Sequence, residues 1–421
     1  MKRLLIIGYV WPEPNSSAAG SRMLQLIECF QHDGYTVSYA SPAQASDHAI
    51  DFEAFNITPY TIELNNSSFD QFIQTIDPQA VMFDRYMMEE QFAWRVETHC
   101  PNALRILDTE DLHCLRFARQ ALAKGNSDII QDVPTEDLYS DFAKREIAAI
   151  LRCDLSIMIS EHEMNLLIKA FHVPAHILSY TPFMLEEIES KPSLSFKDRH
   201  HFISIGNFRH EPNWDAVLTL KQHIWPAIRK RIPKAQLHIY GAYPPKKATQ
   251  LHNEKQGFLV KGWCEDAFAV LEQAKVLLAP LRFGAGLKGK MLDAAQCGLP
   301  AVTTSIGAEG LYADSINIGT LDTCIACDTL EQFIEDAINL YENESLWCEL
   351  QNNCSPWLAD RFMKTEHSQK LLSNVRHILN NLEQHRLENF TGSMLRHHSM
   401  KSTKYMSQWI EAKNKHIEIT E

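Results

Sequence analysis

A glycine-rich segment with two lysines is the part of the sequence best suited to bind an anion. Residues 281–293 read Leu-Arg-Phe-Gly-Ala-Gly-Leu-Lys-Gly-Lys-Met-Leu-Asp, between a predicted strand at 276–280 and a predicted helix at 291–297. Glycines let the backbone approach a ligand closely and present N–H groups at the start of a helix. Lys288 and Lys290 add positive charge at that helix end, where an anion such as a diphosphate would make the arrangement favourable. A solvent-facing strand-to-helix turn is the alternative.

The carboxylate of Asp293 fits the same nucleotide site. Asp293 lies one turn into the predicted helix, where it can accept hydrogen bonds from ribose hydroxyls. The segment is not a P-loop, because Gly289-Lys290 is followed by Met291 and not by Ser or Thr. A dinucleotide site is disfavoured, because the turn after the first predicted strand lacks the Gly-x-Gly-x-x-Gly spacing.

Titratable residues after the predicted strand at 104–107 form a second candidate site. Asp111 and His113 lie where the C-terminal end of that strand would present them to a ligand. Such groups suit binding of an acceptor hydroxyl or of sugar hydroxyls, and we favour both as catalytic residues. A solvated, acid-rich helix start is the alternative. Arg116 and Arg119 are compatible with helix salt bridges and with anion binding.

Short apolar runs alternate with helical patterns in both halves of the chain. In the first half, strands are predicted at 4–8, 36–40, 80–83, 104–107 and 155–159. In the second half, strands are predicted at 201–205, 236–241, 258–260, 276–279 and 301–303. This alternation predicts an α/β fold with two Rossmann-like domains whose parallel sheets leave a cleft between them. Ligands of such sheets bind beyond the C-terminal strand ends, so the cleft is the expected site.

The predicted division of the chain follows its composition. A stretch with prolines and acidic residues at 179–199 separates the two alternating patterns, and the chain after residue 341 is mostly helical. We therefore predict one domain at 1–185, a second at 200–355 and a helical segment at 356–421. A length of 421 residues also exceeds what one hydrophobic core usually supports.

Charge and cysteine content exclude several classes of protein. The formal net charge of −13 argues against a general nucleic-acid binder, which needs basic residues to neutralise phosphates. The pair Cys324 and Cys327 has no partner pair at zinc-finger spacing, so no metal site is expected. The apolar start at 1–10 is better explained as a buried strand than as a signal peptide, because it is short and lacks a cleavage site. We expect a cytoplasmic protein with reduced thiols.

The segment at 283–304, continued at 306–311, resembles retaining glycosyltransferases of family 4. Residues 205–213 resemble the first loop of that family's donor domain, and 14–22 and 145–160 fit its acceptor domain. The resemblance covers roughly residues 1–380. It implies the GT-B fold, with an acceptor-side domain at 1–185, a donor-binding domain at 200–355 and C-terminal helices that return to the first domain. It also implies a nucleoside diphosphate sugar as donor and no required metal or other cofactor.

The resemblance places several residues at the donor. Arg209, with Lys288 or Lys290, is expected to face the diphosphate, and Asp293 stands where the family's second Glu contacts the ribose. The family's first Glu is missing, because Leu281 or Arg282 occupies its approximate place. Backbone N–H groups of 285–287 are the expected substitute. The predicted donor-binding residues are Gly20, Arg22, Arg209, Gly286, Leu287, Lys288, Lys290, Asp293 and Glu309.

Four of the positions suggested by the resemblance have plainer alternatives. Gly20 and Arg22 lie in the first loop, which approaches the donor phosphates in the family, but the helix there is equally compatible with a simple cap. Glu309 is expected at the donor or in a turn. Trp263 is expected beside the nucleotide base or as a packed surface residue.

The expected activity is transfer of a sugar, with retention, to a hydroxyl of a glycan, lipid-linked or protein acceptor, as in bacterial polysaccharide biosynthesis. An epimerase of sugar nucleotides and a catalytically silent sugar-nucleotide-binding partner or regulator are the alternatives. The tail from Met394 mixes basic and aromatic residues. It is expected either to pack on the first domain or to make peripheral contact with an anionic membrane.

Overall fold

Two seven-stranded sheets form the centre of the molecule in this computed structural model. The structure describes residues 2–44, 46, 48–125, 129, 132–186, 194–312 and 318–420. Within these residues no helix is long and apolar enough to cross a membrane.

The first sheet is entirely parallel. Its strands are β1 (Lys2–Ile7), β2 (Tyr35–Ser41), β3 (Ile57–Thr61), β4 (Ala80–Asp84), β5 (Leu104–Asp108), β6 (Leu155–Met158) and β7 (Leu178–Tyr180). They are ordered β3-β2-β1-β4-β5-β6-β7, so the chain reverses its direction of travel between β1 and β4. Every residue of β4 and β5 is buried, as expected for strands covered by helices on both faces. The crevice at the C-terminal ends of β1 and β4 is therefore where a ligand is expected.

The second sheet repeats this order. Its strands are β8 (His200–Ile205), β9 (Leu237–Tyr240), β10 (Phe258–Gly262), β11 (Ala274–Ala279), β12 (Ala301–Thr303), β13 (Gly319–Thr320) and β14 (Cys324–Ala326). They are ordered β10-β9-β8-β11-β12-β14-β13, and only β13, at the edge, is antiparallel. The prediction of two Rossmann-like domains is confirmed.

Helices surround both sheets. Those of the first half are α1 (Ala18–His32), α2 (Ser68–Ile76), α3 (Tyr86–His99), α4 (His113–Ala123), α5 (Thr135–Leu138), α6 (Asp141–Arg152) and α7 (Glu161–Phe171). Those of the second half are α8 (Glu211–Thr219), α9 (Trp225–Arg231), α10 (Lys246–Thr249), α11 (Ala267–Gln273), α12 (Gly289–Gln296), α13 (Ser305–Ala308), α14 (Leu330–Glu342) and α15 (Glu344–Arg361). The C-terminal helices are α16 (Lys364–Asn380), α17 (Leu382–Glu388) and α18 (Phe390–Thr420).

Two predicted helices differ in detail from the structure. The helix predicted at 137–151 is divided into α5 and α6, because Ser140 caps the second helix by accepting a hydrogen bond from the Ala143 N–H. The helix predicted at 213–231 begins earlier, at Glu211, and contains a π-helical turn at Leu220–Ile224 between α8 and α9.

The chain crosses between the two domains at two neighbouring places. Leu185 pairs with Met363 as a parallel bridge, and Leu185 exchanges backbone hydrogen bonds with Phe362 and Lys364. Part of the predicted linker, residues 187–193, lies outside the described residues. Helix α15 runs through the predicted boundary at 355/356 and packs on α12. The exact division of the chain remains a prediction.

The C-terminal helices return to the first domain, as predicted. Leu371 and Val375 of α16 share a hydrophobic core with Leu4 and Ile6 of β1. Arg386 of α17 forms two 2.8 Å hydrogen bonds to the carboxylate of Asp154. Helix α18 then packs on α3 and α6. This return fixes the first domain from behind and leaves the strand ends facing the second domain.

Candidate functional site

The glycine-rich loop between β11 and α12 faces the first domain at close range. Gly286 has a φ of +65°, a conformation that favours glycine, and a Cβ placed there would lie 2.9 Å from the Cβ of Asp111. A Cβ on Gly289 would lie 2.5 Å from that of Ala18. The glycines are therefore needed where the two domains meet, and not only to shape a turn.

The two lysines of the loop have separate partners. Lys288 caps α12, is buried, and its Nζ donates to the carbonyl of Gly286 at 2.7 Å. The Nζ of Lys290 donates to Oδ1 of Asn213, on α8, at 2.7 Å. Burial lowers the pKa of Lys290 to about 8. A bound anion would restore the stability of its charged form.

Asp293 lies half-buried beside Lys290. Burial raises the pKa of Asp293 to about 7, and the nearby Lys290 opposes that rise. A carboxyl with this pKa exchanges its proton near neutral pH, so it can accept or donate hydrogen bonds to hydroxyl groups. Lys290 and Asp293 are thus paired in position, as the sequence predicts.

The start of α1 forms the opposite wall. Ser17 is the N-cap and accepts a hydrogen bond from the Gly20 N–H at 3.1 Å. Gly20 has no room for a side chain, because a Cβ would come within 2.4 Å of the backbone of Glu13. Arg22 is fully buried: its guanidinium donates to the Pro182 carbonyl at 2.8 Å and pairs with Asp108 at 3.5 Å. Contact of Arg22 with a donor phosphate remains a prediction.

Asp111 and His113 are brought together at the start of α4. Nε2 of His113 lies 3.3 Å from Oδ1 of Asp111, and Nε of Arg116 donates to Oδ2 at 2.7 Å. Burial would raise the pKa of Asp111, but Arg116 and His113 hold it below the usual range. Burial lowers the pKa of His113 to about 4, despite Asp111. At neutral pH the pair is therefore an ionised carboxylate and a neutral imidazole.

Glu309 and Arg119 form an ion pair across the cleft. Nη1 and Nη2 of Arg119 bond the two carboxylate oxygens of Glu309 at 2.8 and 2.6 Å, and Nη1 also donates to the carbonyl of Gly284 at 2.9 Å. His162 lies 3.3 Å from the same carboxylate. Although burial raises it, Arg119 lowers the pKa of Glu309 to about 2. Of the two roles left open for Arg119, the structure shows the salt bridge, between domains and not within a helix.

Glu163 was not singled out from the sequence, yet it contacts both domains. Its Oε1 accepts from the N–H of Gly286 at 2.7 Å and from the N–H of Leu112 at 3.3 Å. The side chain is fully buried, its Oε2 has no hydrogen-bond partner, and burial raises its pKa to about 8. The signal that could have found it is its place just after the end of β6, in the same layer as the ends of β4 and β5.

A group of aromatic side chains closes the other end of the cleft. The guanidinium of Arg209 lies 3.5 Å from the ring centre of Tyr243, and the His48 ring contacts both Tyr243 and Trp263. The hydroxyl of Tyr243 donates to the carboxylate of Glu13 across the cleft. Trp263 is partly exposed, and its Nε1 donates to the Asn15 carbonyl at 3.3 Å. Tyr243, His48 and Glu13 carried no recognisable motif in the sequence.

Buried acids lie behind the first wall, at the ends of β4 and β5. Oδ2 of Asp84 accepts from the Tyr9 N–H at 3.1 Å and from Arg85 at 3.3 Å. Burial raises the pKa of both Asp84 and Asp108. Arg85 and Glu110 have φ values of +69° and +62°, which are strained for residues with side chains. Strain of this kind is typical of functional sites.

The cleft therefore combines cations, a helix start, ionised and protonated carboxyls, and hydroxyl-binding groups. Among the described residues, no group of three or more His, Cys, Asp or Glu side chains is arranged to hold a metal ion. The predicted donor residues of the second domain, Gly286 to Asp293 with Glu309, lie together against Asp111 and Glu163. Arg209 lies with the aromatic group.

Comparison with known proteins gives one family and one fold. Residues 199–343 match the family model described as glycosyl transferases group 1, which is about a third of the chain. No curated protein sequence matches the chain.

Solved structures match over nearly the whole length. TarM of S. aureus, in complex with fondaparinux, α-GlcNAc-glycerol and UDP, has a TM-score of 0.66 at 10% identity, covering 89% of this chain and 99% of its own. Anabaena HepE in complex with UDP-glucose has 0.65 at 11% identity, covering 89% and 99%. Sucrose-phosphate synthase from Thermosynechococcus elongatus has 0.63 at 13% identity, covering 90% and 100%. At these identities the likeness shows the fold, which is GT-B, while the second domain matches the group 1 glycosyltransferases.

Proposed function

We propose that this protein transfers a sugar from a nucleoside diphosphate sugar to a hydroxyl acceptor, with retention of the anomeric configuration. The observation that carries the proposal is the loop before α12, which presents N–H groups, Lys290 and Asp293 to a cleft between the sheets of a GT-B fold. This loop lies in the part of the chain that matches the group 1 glycosyltransferases.

In this proposal the donor binds along the second domain. Lys290 and the backbone of residues 286–288 bind the diphosphate, with Gly20 approaching it from the opposite wall. Asp293 binds the ribose, and Trp263 borders the base. HepE was solved with UDP-glucose and TarM with UDP, so uridine nucleotides are the first donors to test.

Positive charge and helix-end N–H groups would stabilise the departing diphosphate. Charge develops there as the sugar–phosphate bond breaks, and preorganised donors in a dry cleft stabilise it strongly. Lys290 and the α12 start supply this role from the protein, so we propose that no metal is required. Asp111, ionised, and His113, neutral, would bind the acceptor hydroxyl opposite the donor.

The acceptor class proposed here is a glycan, a lipid-linked sugar or a protein hydroxyl, in polysaccharide biosynthesis. TarM was solved with a glycan fragment and with a glycerol glycoside, which shows that this fold accommodates such molecules. The first domain, with Asp111 and His113 at its strand ends, would bind the acceptor.

The direct test is a panel of sugar nucleotides offered with divalent ions chelated. We expect at least one UDP-, GDP- or ADP-sugar to bind and to be hydrolysed or transferred, and Lys290→Ala to lose that binding. Lys255→Ala is the matched control, because Lys255 is exposed on the second domain, outside the loop. Absence of binding to every donor, with a known transferase active in the same assay, would refute the proposal.

One observation keeps a catalytically silent sugar-nucleotide-binding protein as a second candidate. Arg282, at the approximate place of the family's first Glu, forms a bidentate pair with Asp215, and Leu281 is buried. Neither offers a carboxylate to the donor sugar. Tight donor binding without turnover would favour this candidate, and a changed sugar nucleotide without an acceptor product would instead indicate an epimerase.

A further inference from the structure

Helix α18 has an inner face that anchors it to the first domain. Met400 and Ser407 are buried against α3 and α6. Nη1 of Arg152 donates to the hydroxyl of Ser399 at 3.1 Å, and Arg95 lies 3.5 Å from the hydroxyl of Ser407. The expected packing on the first domain is therefore present, and it uses only one side of the helix.

The outer face of α17 and α18 exposes large apolar side chains. Six side chains between Leu387 and Trp409 are each between 47% and 75% exposed. They are Leu387, Phe390, Met394, Tyr405, Met406 and Trp409. The spacing of Phe390, Met394, Lys401, Tyr405 and Trp409 puts them on one side of the helix, over about 28 Å. An exposed apolar stripe of this length on one element marks an interaction surface.

Positive charge runs along the same helix in a chain of net charge −13. Between residues 390 and 416 there are five Lys or Arg residues and one acid, Glu411. Glu411 is already paired, with Lys415 at 2.8 Å and Arg95 at 3.9 Å. Lys401 and Lys413 are exposed, and Lys413 lies 5.4 Å from the ring of Trp409. The surface is therefore cationic and aromatic, in contrast to the acidic chain as a whole.

We propose that this outer face of α17 and α18 binds an anionic lipid bilayer. A basic amphipathic helix with Trp, Tyr and Phe lies in the plane of a membrane interface, with its apolar side chains between head groups and its lysines on anionic lipid. A second copy of the chain fits less well, since a two-fold contact through this stripe would bring Lys401 and Lys413 against like charges. The bilayer would bind the first domain, on the side away from the second sheet.

The test is co-sedimentation of the full chain with vesicles of phosphatidylglycerol in phosphatidylcholine, compared with pure phosphatidylcholine. We expect binding to the anionic vesicles that weakens with salt. The variant Phe390→Ser/Trp409→Ser should abolish sedimentation, and Lys401→Glu/Lys413→Glu should reduce the partition coefficient by about thirtyfold or more. Leu64→Ser/Leu194→Ser is the control, because these exposed leucines lie on other parts of the surface.

Unchanged circular dichroism and unfolding temperature show that each variant is folded. No binding to anionic vesicles, or binding that neither pair of substitutions changes, would overturn the proposal. An oligomer in sedimentation velocity that Phe390→Ser/Trp409→Ser converts to a monomer, without vesicle binding, would assign the surface to a second copy instead. Donor turnover is measured separately, so loss of membrane binding is distinguishable from loss of the proposed activity.

Discussion

At the scale of single residues, burial sets the protonation of the cleft. Lys290, Asp293 and Glu163 are all removed from water, and the pKa of each is displaced toward the neutral form. Asp111 and Glu309 have arginine partners that hold their pKa below the usual range. The empty cleft thus holds charged groups that are satisfied by the protein and others that a ligand would satisfy.

Donor affinity should fall above pH 8. Lys290 binds a diphosphate in its charged form, and in the free protein it loses that proton as the pH rises through about 8. Well above that pH, binding must take up a proton, so the affinity for UDP should fall by about tenfold per pH unit. Calorimetric titration from pH 7 to 9.5 measures this. Lys290→Arg is the control, since arginine stays charged, and a wild-type affinity constant over that range would contradict the prediction.

Glu163 should make the protein less stable as pH rises. Its pKa is raised to about 8, so the native state keeps a proton that the unfolded chain loses near pH 4. Its stabilising contribution is complete below pH 4 and is lost as pH rises to 8. Glu163→Gln keeps an acceptor for the Gly286 N–H and removes the titration.

Denaturant unfolding at pH 5 and pH 8 tests this for Glu163. The variant should gain on the wild type between the two values, by an amount on the order of 2 to 4 kcal/mol. Glu90→Gln is the control, because Glu90 pairs with Arg145 at the surface. An equal pH dependence of wild type and Glu163→Gln would show that Glu163 is ionised in the native state.

At the scale of elements, the loop before α12 is shaped by what it faces. Gly286 needs its left-handed φ and also the space that Asp111 leaves, because the loop packs on α4. The start of α12 likewise meets the start of α1 through Gly289 and Ala18. Two helix N-termini therefore point into one narrow volume, which favours an anion there.

Gly286→Ala should lose donor binding as well as stability. The left-handed φ costs an alanine roughly 1 to 2 kcal/mol, and the contact with Asp111 adds to this cost and displaces the loop. Gly34→Ala carries the same backbone cost, since Gly34 has a φ of +83° with nothing within 4 Å of its added Cβ. We expect both variants to unfold at lower temperature and only Gly286→Ala to bind UDP weakly. Equal UDP affinity in the two variants would contradict the role of the loop.

At the scale of the whole molecule, the two domains are held together by charged contacts across the cleft. The Arg119–Glu309 pair, the contact of Glu163 with Gly286 and the hydrogen bond of Tyr243 to Glu13 join them at three places. The covalent crossings at Leu185 and Met363 lie side by side, as a hinge would. The domains can therefore separate when the charged contacts are broken.

Glu309→Gln should open the cleft. Leaving the Arg119 charge buried without its carboxylate costs about 3–5 kcal/mol, so separation of the domains, which returns Arg119 to water, becomes favourable. Small-angle scattering should show a larger radius of gyration than for the wild type. Glu90→Gln removes a pair within the first domain and should leave the radius unchanged. A compact Glu309→Gln protein would mean that the other contacts suffice for closure.

The sequence by itself determined the two Rossmann-like domains and the loop with Lys288, Lys290 and Asp293. Strand and helix periodicity and glycine spacing are local properties, and local properties are readable along the chain. The return of the C-terminal helices was expected from the resemblance.

Only the tertiary structure decided which groups meet across the cleft. Glu163, Glu13 and Tyr243 belong to no motif, and the partner of Glu309 is Arg119, 190 residues away in the chain. Such pairs depend on how two separately folded sheets face each other, which no local pattern encodes. Their pKa values depend on burial, which packing alone creates. The same holds for α18: its composition suggested either packing or a membrane, and packing on α3 and α6 left the other face exposed.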